Sequence, residues 1–316
     1  MKKLKFLLIS VLAASLISIF WGTDTSVVAQ LPDSQGTPQI AMSAGVESQL
    51  TVTPYYSEDP AALVASVVIE GTENVILVDS QLKLSDASNV ADIIEATGKN
   101  LQAIFITHAH PDHYLGLESV LAKFPDTPIY AGAATVEGIK SNTSRFIDIY
   151  KGQYPGDVTT NPEIPVEVYT EDSMELDGET LEIMSMRGDV PEISVISIPA
   201  AKTVIAADVY FMGTHAFMAA ASSPEVRQEW MASFEKIKSL NPDLVISGHK
   251  APNASLNDSV ANMDDAAKYI ATYGEAICTQ NNAEEAKGFI TQAYPDYPLA
   301  WYLGFGLTED VAYGDC

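Results

Sequence analysis

Three of the five histidines in this 316-residue chain fall within six positions, together with one carboxylate. They lie in the stretch Thr107-His108-Ala109-His110-Pro111-Asp112-His113. Imidazole nitrogens and carboxylate oxygens are ligands that zinc, iron and manganese accept in proteins. Two such ions about 3.5–4 Å apart can share a hydroxide nucleophile. The stretch therefore predicts a metal centre, because surface histidines in an ordinary loop would give no reason for so dense a cluster.

An apolar run at residues 101–106 leads directly into this histidine cluster. Such a run, when it ends in polar residues, is typical of a buried strand that delivers those residues at the C-terminal edge of a sheet. Open α/β folds place their ligand sites at that edge. His108 and His110 alternate as strand residues do, so both can face one way. The proline turn that follows directs Asp112 and His113 towards a neighbouring point, and two adjacent metal sites are the expected result.

The motif His108-x-His110-x-Asp112-His113 resembles the signature of the metallo-β-lactamase superfamily, and the resemblance extends over about residues 63–252. It implies the α/β class, with an αβ/βα four-layer sandwich that carries the metals at one edge. Most members of that family are hydrolases and some are oxidoreductases. Two apolar runs far apart in the chain, residues 75–79 and 203–208, both end in aspartate. This repeated pattern is consistent with a fold made of two similar halves.

The same resemblance assigns roles to residues outside the motif. It implies that Asp79 supports the metal ligands from behind and that Asp208 bridges the two metals. A turn or helix-capping role is the alternative for Asp208. His249 follows an apolar strand and Gly248, which lets the backbone approach closely, and it resembles the final histidine ligand of the family.

One ligand of the family pattern is missing. A third histidine usually lies about twenty residues before the bridging aspartate and just after a glycine, but this region reads Met186-Arg187-Gly188-Asp189-Val190-Pro191-Glu192. Asp189 follows a glycine, lies 19 residues before Asp208, and can bind a metal through oxygen. Arg187 and Glu192 are alternatives for the same space, although an arginine cannot bind a metal because it stays protonated. A first metal site that is weak or empty is the remaining alternative.

These ligands define the expected cofactor and mechanism. Two divalent ions are expected, and zinc is the first candidate. Iron and manganese are alternatives, because the carboxylate of Asp189 would be a harder ligand than imidazole. A bridging hydroxide would attack a carbonyl or phosphoryl centre while Asp112 steers it. A single metal in the second site could still activate water. The implied sets are His108, His110 and Asp189 for the first metal and Asp112, His113 and His249 for the second, with Asp208 shared.

The expected function is hydrolysis of an ester, thioester, lactone or similar small carbonyl substrate. No cysteine lies near the second-half ligands, whereas the broad-zinc β-lactamases place one in their second site, so β-lactam hydrolysis is an alternative rather than the first choice. A mononuclear iron dioxygenase on the same scaffold and a non-catalytic metal-binding protein are further alternatives. His215, Tyr114 and Tyr210 lie near ligand-bearing segments, but a packing role is favoured for each.

The beginning of the chain has the pattern of a secretory signal. Lys2, Lys3 and Lys5 precede an apolar run at residues 6–21, and Val27-Val28-Ala29 offers small residues for cleavage. The run is shorter than the roughly 20 residues that span a bilayer as a helix, so no stable membrane anchor is expected after cleavage. We predict a signal peptide at 1–29, a flexible leader at 30–45, a metallo-β-lactamase-like domain with C-terminal helices at 46–316, and a periplasmic or secreted location.

The charge balance limits the partners. The chain has 42 acidic and 17 basic residues and a formal net charge of −25. Nucleic acids and anionic membrane surfaces repel such a polyanion, so a small-molecule substrate is expected instead. In an exported protein Cys278 and Cys316 could form a disulfide, and a free terminal Cys316 is the alternative.

The remaining pattern alternates strands and helices, as in an α/β fold. Short β-like runs fill residues 163–194. Strands are predicted at 63–70, 75–79, 101–106, 203–208 and 243–247, and helices at 86–97, 112–123, 133–150, 222–240, 263–279 and 283–293.

Overall fold

A computed structural model of the chain describes residues 49–58 and 63–314. The predicted signal peptide and leader lie outside this part, and so does Cys316, one of the two cysteines of the possible disulfide. Within it, no helix combines the length and the apolar character that a membrane span requires.

The first half of the described chain folds into a six-stranded sheet. In chain order, which is also the order across the sheet, its strands are β1 (Thr51–Tyr56), β2 (Ala65–Glu70), β3 (Asn74–Val78), β4 (Asn100–Ile106), β5 (Ile129–Ala131) and β6 (Val166–Val168). The first three strands pair antiparallel, and β3 to β6 pair parallel. The strands predicted at 63–70 and 75–79 correspond to β2 and β3, which pair as a hairpin around Gly71.

The second half forms a five-stranded sheet in which the two ligand-bearing strands lie side by side. Its strands are β7 (Ser173–Leu176), β8 (Glu179–Met186), β9 (Ile193–Ile198), β10 (Thr203–Met212) and β11 (Leu244–Lys250), in the spatial order β11-β10-β9-β8-β7. β10 and β11 run parallel, and the other neighbours pair antiparallel.

Helices cover the outer faces of both sheets. They are α1 (Leu84–Thr97), α2 (Leu117–Lys123), α3 (Ala133–Gln153), α4 (Pro224–Ser239), α5 (Met263–Thr279), α6 (Ala283–Ala293) and the short α7 (Leu303–Gly306). Residues of α1, α2 and α3 pack on the first sheet, and α4 and α5 contact β10 of the second. The order helices, sheet, sheet, helices confirms the predicted four-layer sandwich.

The alternation of strand side chains divides the core between the layers. In β4, Ala103 and Phe105 belong to the cluster between the sheets, whereas Ile104 and Ile106 pack under the helices. Successive strand residues point to opposite faces, so a strand covered on both faces must be apolar throughout. The apolar run before the histidine cluster is therefore a central buried strand, as predicted.

Two sequence predictions need correction. The strand that carries Asp208 does not end there, because β10 continues to Met212 and is buried over its whole length. The segment after β4 is a bend rather than strand, with a 3-10 turn at Pro111–His113, and the helix predicted from residue 112 begins at Leu117. The proline and the metal-directed residues occupy this turn, so regular helix starts only after them.

Candidate metal centre

The segment after β4, the loop between β8 and β9, and the strands β10 and β11 bring all seven predicted ligands together at one edge of the sandwich. Their nitrogen and oxygen atoms fall into two groups, and within each group the atoms lie within 4.8 Å of one another. The first group is His108, His110, Asp189 and Asp208, and the second is Asp112, His113 and His249.

In the first group, two imidazoles face two carboxylates. Nε2 of His108 lies 3.5 Å from Oδ2 of Asp208 and 4.0 Å from Oδ1 of Asp189. Nδ1 of His110 lies 3.0 Å from Oδ2 of Asp189. The two imidazole nitrogens are 3.1 Å apart. Four donor atoms thus surround one small volume.

In the second group, the carboxylate of Asp208 is again the common neighbour. Nε2 of His113 lies 3.2 Å from Oδ1 of Asp208. Nε2 of His249 lies 3.3 Å from Oδ2 of Asp208 and 3.4 Å from Oδ2 of Asp112. Asp208 therefore faces both groups, which is the position that a bridging ligand requires.

The position of the missing histidine is filled by Asp189. Its side chain is buried, with 1% of the residue exposed, and both oxygens face the first group. Nε of Arg187 instead lies 3.9 Å from Glu229, and Glu192 is exposed. Of the three alternatives that the sequence left open, Asp189 is the one that the fold directs into the site.

Two glycines allow the close approach of the ligand-bearing segments. A Cβ atom added to Gly248 would collide with the side chain of Asp208, and one added to Gly188 would lie 2.6 Å from the backbone oxygen of Asp208. Ala207 has a φ of 44° at a register shift between β10 and β11. Such a bulge redirects a side chain, which explains how Asp208 reaches the site from inside a strand.

Asp79 orients two of the histidines from behind. Its carboxylate accepts hydrogen bonds from the backbone nitrogen and the hydroxyl of Thr107, both at 2.8 Å, and Nδ1 of His113 lies 2.7 Å away. Because the Thr107 hydroxyl donates to Asp79, it can accept from Nδ1 of His108 at 3.1 Å. Both rings then present Nε2 to the metal-facing side, which is the usual arrangement around metal-binding histidines.

The electrostatics of the two groups are those of paired imidazoles and carboxylates. Burial disfavours a charged His110, but Asp189 and the other carboxylates outweigh it and raise the pKa of His110 from 6.5 to about 9. Burial also lowers the pKa of His113, but Asp208 and Asp79 outweigh it and hold the pKa of His113 well above its usual value. For Asp208, burial is outweighed by His249 and His113, so its pKa lies well below the ordinary value.

Several buried atoms at this site have no hydrogen-bond partner among the described residues. They are Nε2 of His113, both oxygens of Asp189 and Oδ1 of Asp208. A buried polar atom without a partner costs free energy, so natural proteins rarely leave several in one place. Nitrogen and carboxylate donors in this arrangement fit one or two divalent ions of the zinc, iron or manganese type.

The site lies at the floor of a cavity of about 250 Å³. His110, Asp112 and Asp208 contribute to its floor. The walls come from α3 and from the C-terminal segment around α7, and are largely apolar or aromatic. They include Leu82, Phe146, Ile149, Tyr150, Tyr154, Phe217, Trp301, Tyr302 and Phe305.

Tyr302 is a site residue that the sequence did not reveal. Its ring lies perpendicular to that of His249, with 5.8 Å between centroids. Burial raises the pKa of Tyr302 well above its usual value, and Asp112 and Asp208 add to this effect, so the hydroxyl stays protonated. A run of aromatic residues near the C-terminus was the available signal, but nothing in the sequence connects that run with the histidine motif.

The other residues that the sequence singled out do not line the cavity. Nδ1 of His215 lies 3.0 Å from the Tyr269 hydroxyl, and burial lowers the pKa of His215 to about 4. The Tyr210 hydroxyl donates to the backbone oxygen of Ser259. The Tyr114 hydroxyl lies 3.1 Å from that of Thr143. These contacts agree with the packing roles favoured for them.

Sequence comparison identifies a family over much of the chain. The sequence model described as the metallo-beta-lactamase superfamily matches residues 60–249. A stretch of 69 residues is 32% identical to a hydroxyacylglutathione hydrolase of Hamiltonella defensa subsp. Acyrthosiphon pisum (strain 5AT), over 22% of this chain and 26% of that protein. The match thus spans about a quarter of the length of this curated relative.

Solved structures share the fold at low sequence identity. A metallo-beta-lactamase family protein of Thermus thermophilus superposes with a TM-score of 0.57 and 16% identity, over 82% of this chain and 90% of that chain. A beta-lactamase domain protein of Burkholderia ambifaria gives a TM-score of 0.56 and 16% identity, over 83% and 84% of the two chains. At these identities the similarity concerns the fold alone.

Proposed function

Because this chain belongs to the metallo-beta-lactamase superfamily, we propose that it is a metal-dependent hydrolase acting on an ester, thioester, lactone or similar small carbonyl substrate. One observation carries the proposal. Four imidazoles and three carboxylates converge beneath an open cavity, and several of their buried atoms face only one another and make no hydrogen bond within the described residues. A site that served only packing would satisfy these atoms within the protein.

Each ligand has a proposed place. A first divalent ion would be held by His108, His110 and Asp189. A second would be held by Asp112, His113 and His249, and Asp208 would bind both ions. When bound, such ions supply Lewis acidity and lower the pKa of water towards neutrality. Zinc is the first candidate.

Two side chains of the cavity would act on the substrate and on the water. The carboxylate of Asp112 lines the cavity and lies 3.4 Å from His249. From there it can take a proton from the attacking water and deliver it to the leaving group. The hydroxyl of Tyr302 remains protonated and can donate a hydrogen bond to the oxygen on which negative charge develops.

The proposal is tested by metal content and hydrolysis measured on the same samples. The mature protein, purified without chelator, is analysed for bound metals and assayed with p-nitrophenyl acetate and with a thioester. We expect about two equivalents of metal and turnover that a chelator abolishes and zinc restores. Protein that binds no metal and hydrolyses neither substrate would contradict the proposal. Asp112→Asn should retain metal at the first site but lose most of the turnover.

The oxygen ligand at position 189 also favours a second candidate. A carboxylate in place of an imidazole makes the first site harder, which suits iron or manganese better than an all-histidine site does. A mononuclear iron dioxygenase would contain about one equivalent of iron and would consume oxygen. Elemental analysis with an oxygen electrode separates this hypothesis from hydrolysis.

Export is part of the same proposal. Its support is the amino-terminal pattern of lysines, an apolar run and small residues. The cavity and the net charge of −25 support a small-molecule substrate rather than a nucleic-acid partner. Cell fractionation, with amino-terminal sequencing of the mature protein, tests the location and predicts a new terminus near residue 30.

A further inference from the structure

We propose that the cavity above the metal centre selects substrates with an apolar acyl chain of medium length, in preference to small or polar acyl groups. This inference rests on the proposed hydrolase function and names its substrate class. It is carried by the distribution of exposed apolar side chains, by a continuous aromatic wall, and by the anchoring of the segment that provides that wall.

Exposed apolar side chains are concentrated at the mouth of the cavity. Among the described residues only five large hydrophobic side chains are exposed, namely Ile149, Val168, Leu240, Trp301 and Phe305. Three of them line this one cavity, with exposed fractions of 49% for Ile149, 44% for Trp301 and 51% for Phe305. An apolar patch that borders a ligand site marks a surface that contacts the ligand.

An aromatic wall connects the metal ligands with this rim. The ring of Phe217 lies 5.2 Å from the imidazole of His110 and 5.2 Å from the ring of Phe305. Phe305 in turn lies 5.6 Å from Trp301. An acyl chain whose carbonyl carbon lies over the metal ligands can therefore follow apolar surface all the way to the opening.

Charged recognition groups are scarce along the same walls. Although the chain has 42 acidic residues, the only carboxylates of its described part that line the cavity are Asp112 and Asp208, both at the floor. Away from the floor, the polar lining groups are Arg145, Gln153, the indole nitrogen of Trp301 and the hydroxyls of Tyr150, Tyr154 and Tyr302. The aliphatic and aromatic surfaces between them leave most of the wall apolar, and a polar chain would lose hydrogen bonds to water along those surfaces.

The segment that provides the rim is anchored firmly on both sides. Leu299, Leu303 and Leu307 are buried, and a Cβ atom added to Gly306 would collide with the hydroxyl of Tyr273. Trp301 and Phe305 therefore project from a fixed turn and are not exposed through fraying of a chain end. Trp301 and Phe305 lie after residue 249, where the match to the family ends, whereas Phe217 lies within it.

The size of the cavity sets the expected chain length. A cavity of about 250 Å³ has room for a chain of several methylene groups, each close in size to a water molecule. Each buried methylene contributes ~0.8 kcal/mol, which corresponds to about a fourfold change in binding. Preference should therefore rise over the first several carbons and then level off.

The experiment uses the zinc-loaded full-length mature protein and p-nitrophenyl esters of acetate, butyrate, hexanoate and octanoate. We expect kcat/KM to rise by up to about fourfold per methylene. In the double variant Trp301→Ala/Phe305→Ala the octanoate-to-acetate ratio should fall by about tenfold, the order of effect of truncating aromatic anchors at a binding site. The matched control is Val168→Ala/Leu240→Ala, which removes exposed apolar side chains away from the cavity and should keep the wild-type ratio. A wild-type rate that is flat or falls with chain length would overturn the inference while leaving the hydrolase function standing.

A binding measurement keeps the inference testable if none of the esters is hydrolysed. Calorimetric titration with octanoate and butyrate should then show tighter binding of octanoate, with the preference lost in Trp301→Ala/Phe305→Ala. The absence of ester hydrolysis would contradict the hydrolase function for this ester class, whereas tighter binding of octanoate would support the apolar chain site. Equal binding of the two acids would overturn the site itself.

Sedimentation analysis tests whether a second copy of the chain covers the rim. A dimer that dissociates in the double variant would make the rim an interface between two copies and overturn the inference.

Discussion

Oδ2 of Asp79 lies 2.7 Å from Nδ1 of His113, and the opposite ring nitrogen of His113 lies 3.2 Å from Asp208. The buried imidazole of His113 thus lies between Asp79, which orients it, and Asp208, which would bind the same metal ion. Asp79 also accepts two hydrogen bonds from Thr107, which contacts His108. One aspartate at the end of β3 therefore controls the ring orientation of a histidine in each metal group.

Replacing Asp79 with asparagine should weaken metal binding. The amide cannot accept from both Thr107 and His113 as the carboxylate does, so the ring of His113 loses its fixed tautomer. We expect the metal affinity to fall by about ten- to a hundredfold, the usual effect of removing such a partner, while the protein stays folded. Competition with a chromogenic chelator measures the affinity. Asp177→Asn, which alters a half-buried carboxylate that accepts hydrogen bonds from Glu73 and Asn74 far from the metal ligands, is the control and should leave metal affinity unchanged.

Replacing Asp189 with alanine should remove one metal equivalent. Its two oxygens face His108 and His110 and lack other partners among the described residues, so they are the natural ligands of the first site. Elemental analysis should show about two equivalents in the wild type and about one in Asp189→Ala. Arg187→Ala is the matched control, because Arg187 lies nearby in sequence but contacts Glu229, and it should keep both equivalents. Equal metal content in wild type and Asp189→Ala would exclude Asp189 as a ligand.

Much of this architecture could be predicted from the sequence, because its signals are local. A buried strand followed by ligand residues is visible within residues 101–113, and the predicted bounds of α5 and α6 agree with the structure. The course of β10 beyond Asp208 was not predicted, because an aspartate inside a buried strand normally signals its end. The bulge at Ala207, which makes the exception possible, depends on pairing with β11.

The cavity wall was beyond sequence reasoning for a related reason. Tyr302 and His249 are in contact although 53 residues separate them in the chain. Aromatic residues near a chain end are more often part of a core than of a site, so their spacing favours packing. Only the folded arrangement shows that Trp301 and Phe305 stay exposed at the cavity mouth.

The stability of the metal-free protein should fall as the pH rises. The pKa of His110 is raised from 6.5 to about 9, so its protonation stabilises the fold fully below pH 6.5, and this contribution is lost as the pH passes through about 9. The raised pKa of His113 acts in the same direction. Thermal unfolding of chelator-treated protein between these two pH values should therefore show a falling Tm.

Metal-loaded protein should not share this loss, because a bound ion takes the place of the protons and binds more tightly as they leave. The comparison needs only the same thermal scans with and without zinc. His110→Gln should make the profile of the chelated protein less steep, since the variant has no imidazole to titrate at that position while His113 remains. If chelated and loaded protein showed the same fall in Tm, protons at the metal ligands would not be its cause.

Replacing Tyr302 with phenylalanine should lower kcat while leaving metal content intact. The ring packs against His249 and would remain in place, so the variant removes only a protonated hydroxyl beside Asp112 and Asp208. Loss of one hydrogen-bond donor to a developing oxyanion typically costs about a hundred- to a thousandfold in kcat, whereas loss of a packing contact acts on stability. The measurements are kcat and KM for a p-nitrophenyl ester, metal content and Tm. Tyr130→Phe, which removes a tyrosine hydroxyl from β5 outside the cavity, should match the wild type in all of them. A Tyr302→Phe enzyme with unchanged kcat would assign the hydroxyl no part in the chemistry and leave the ring its packing role alone.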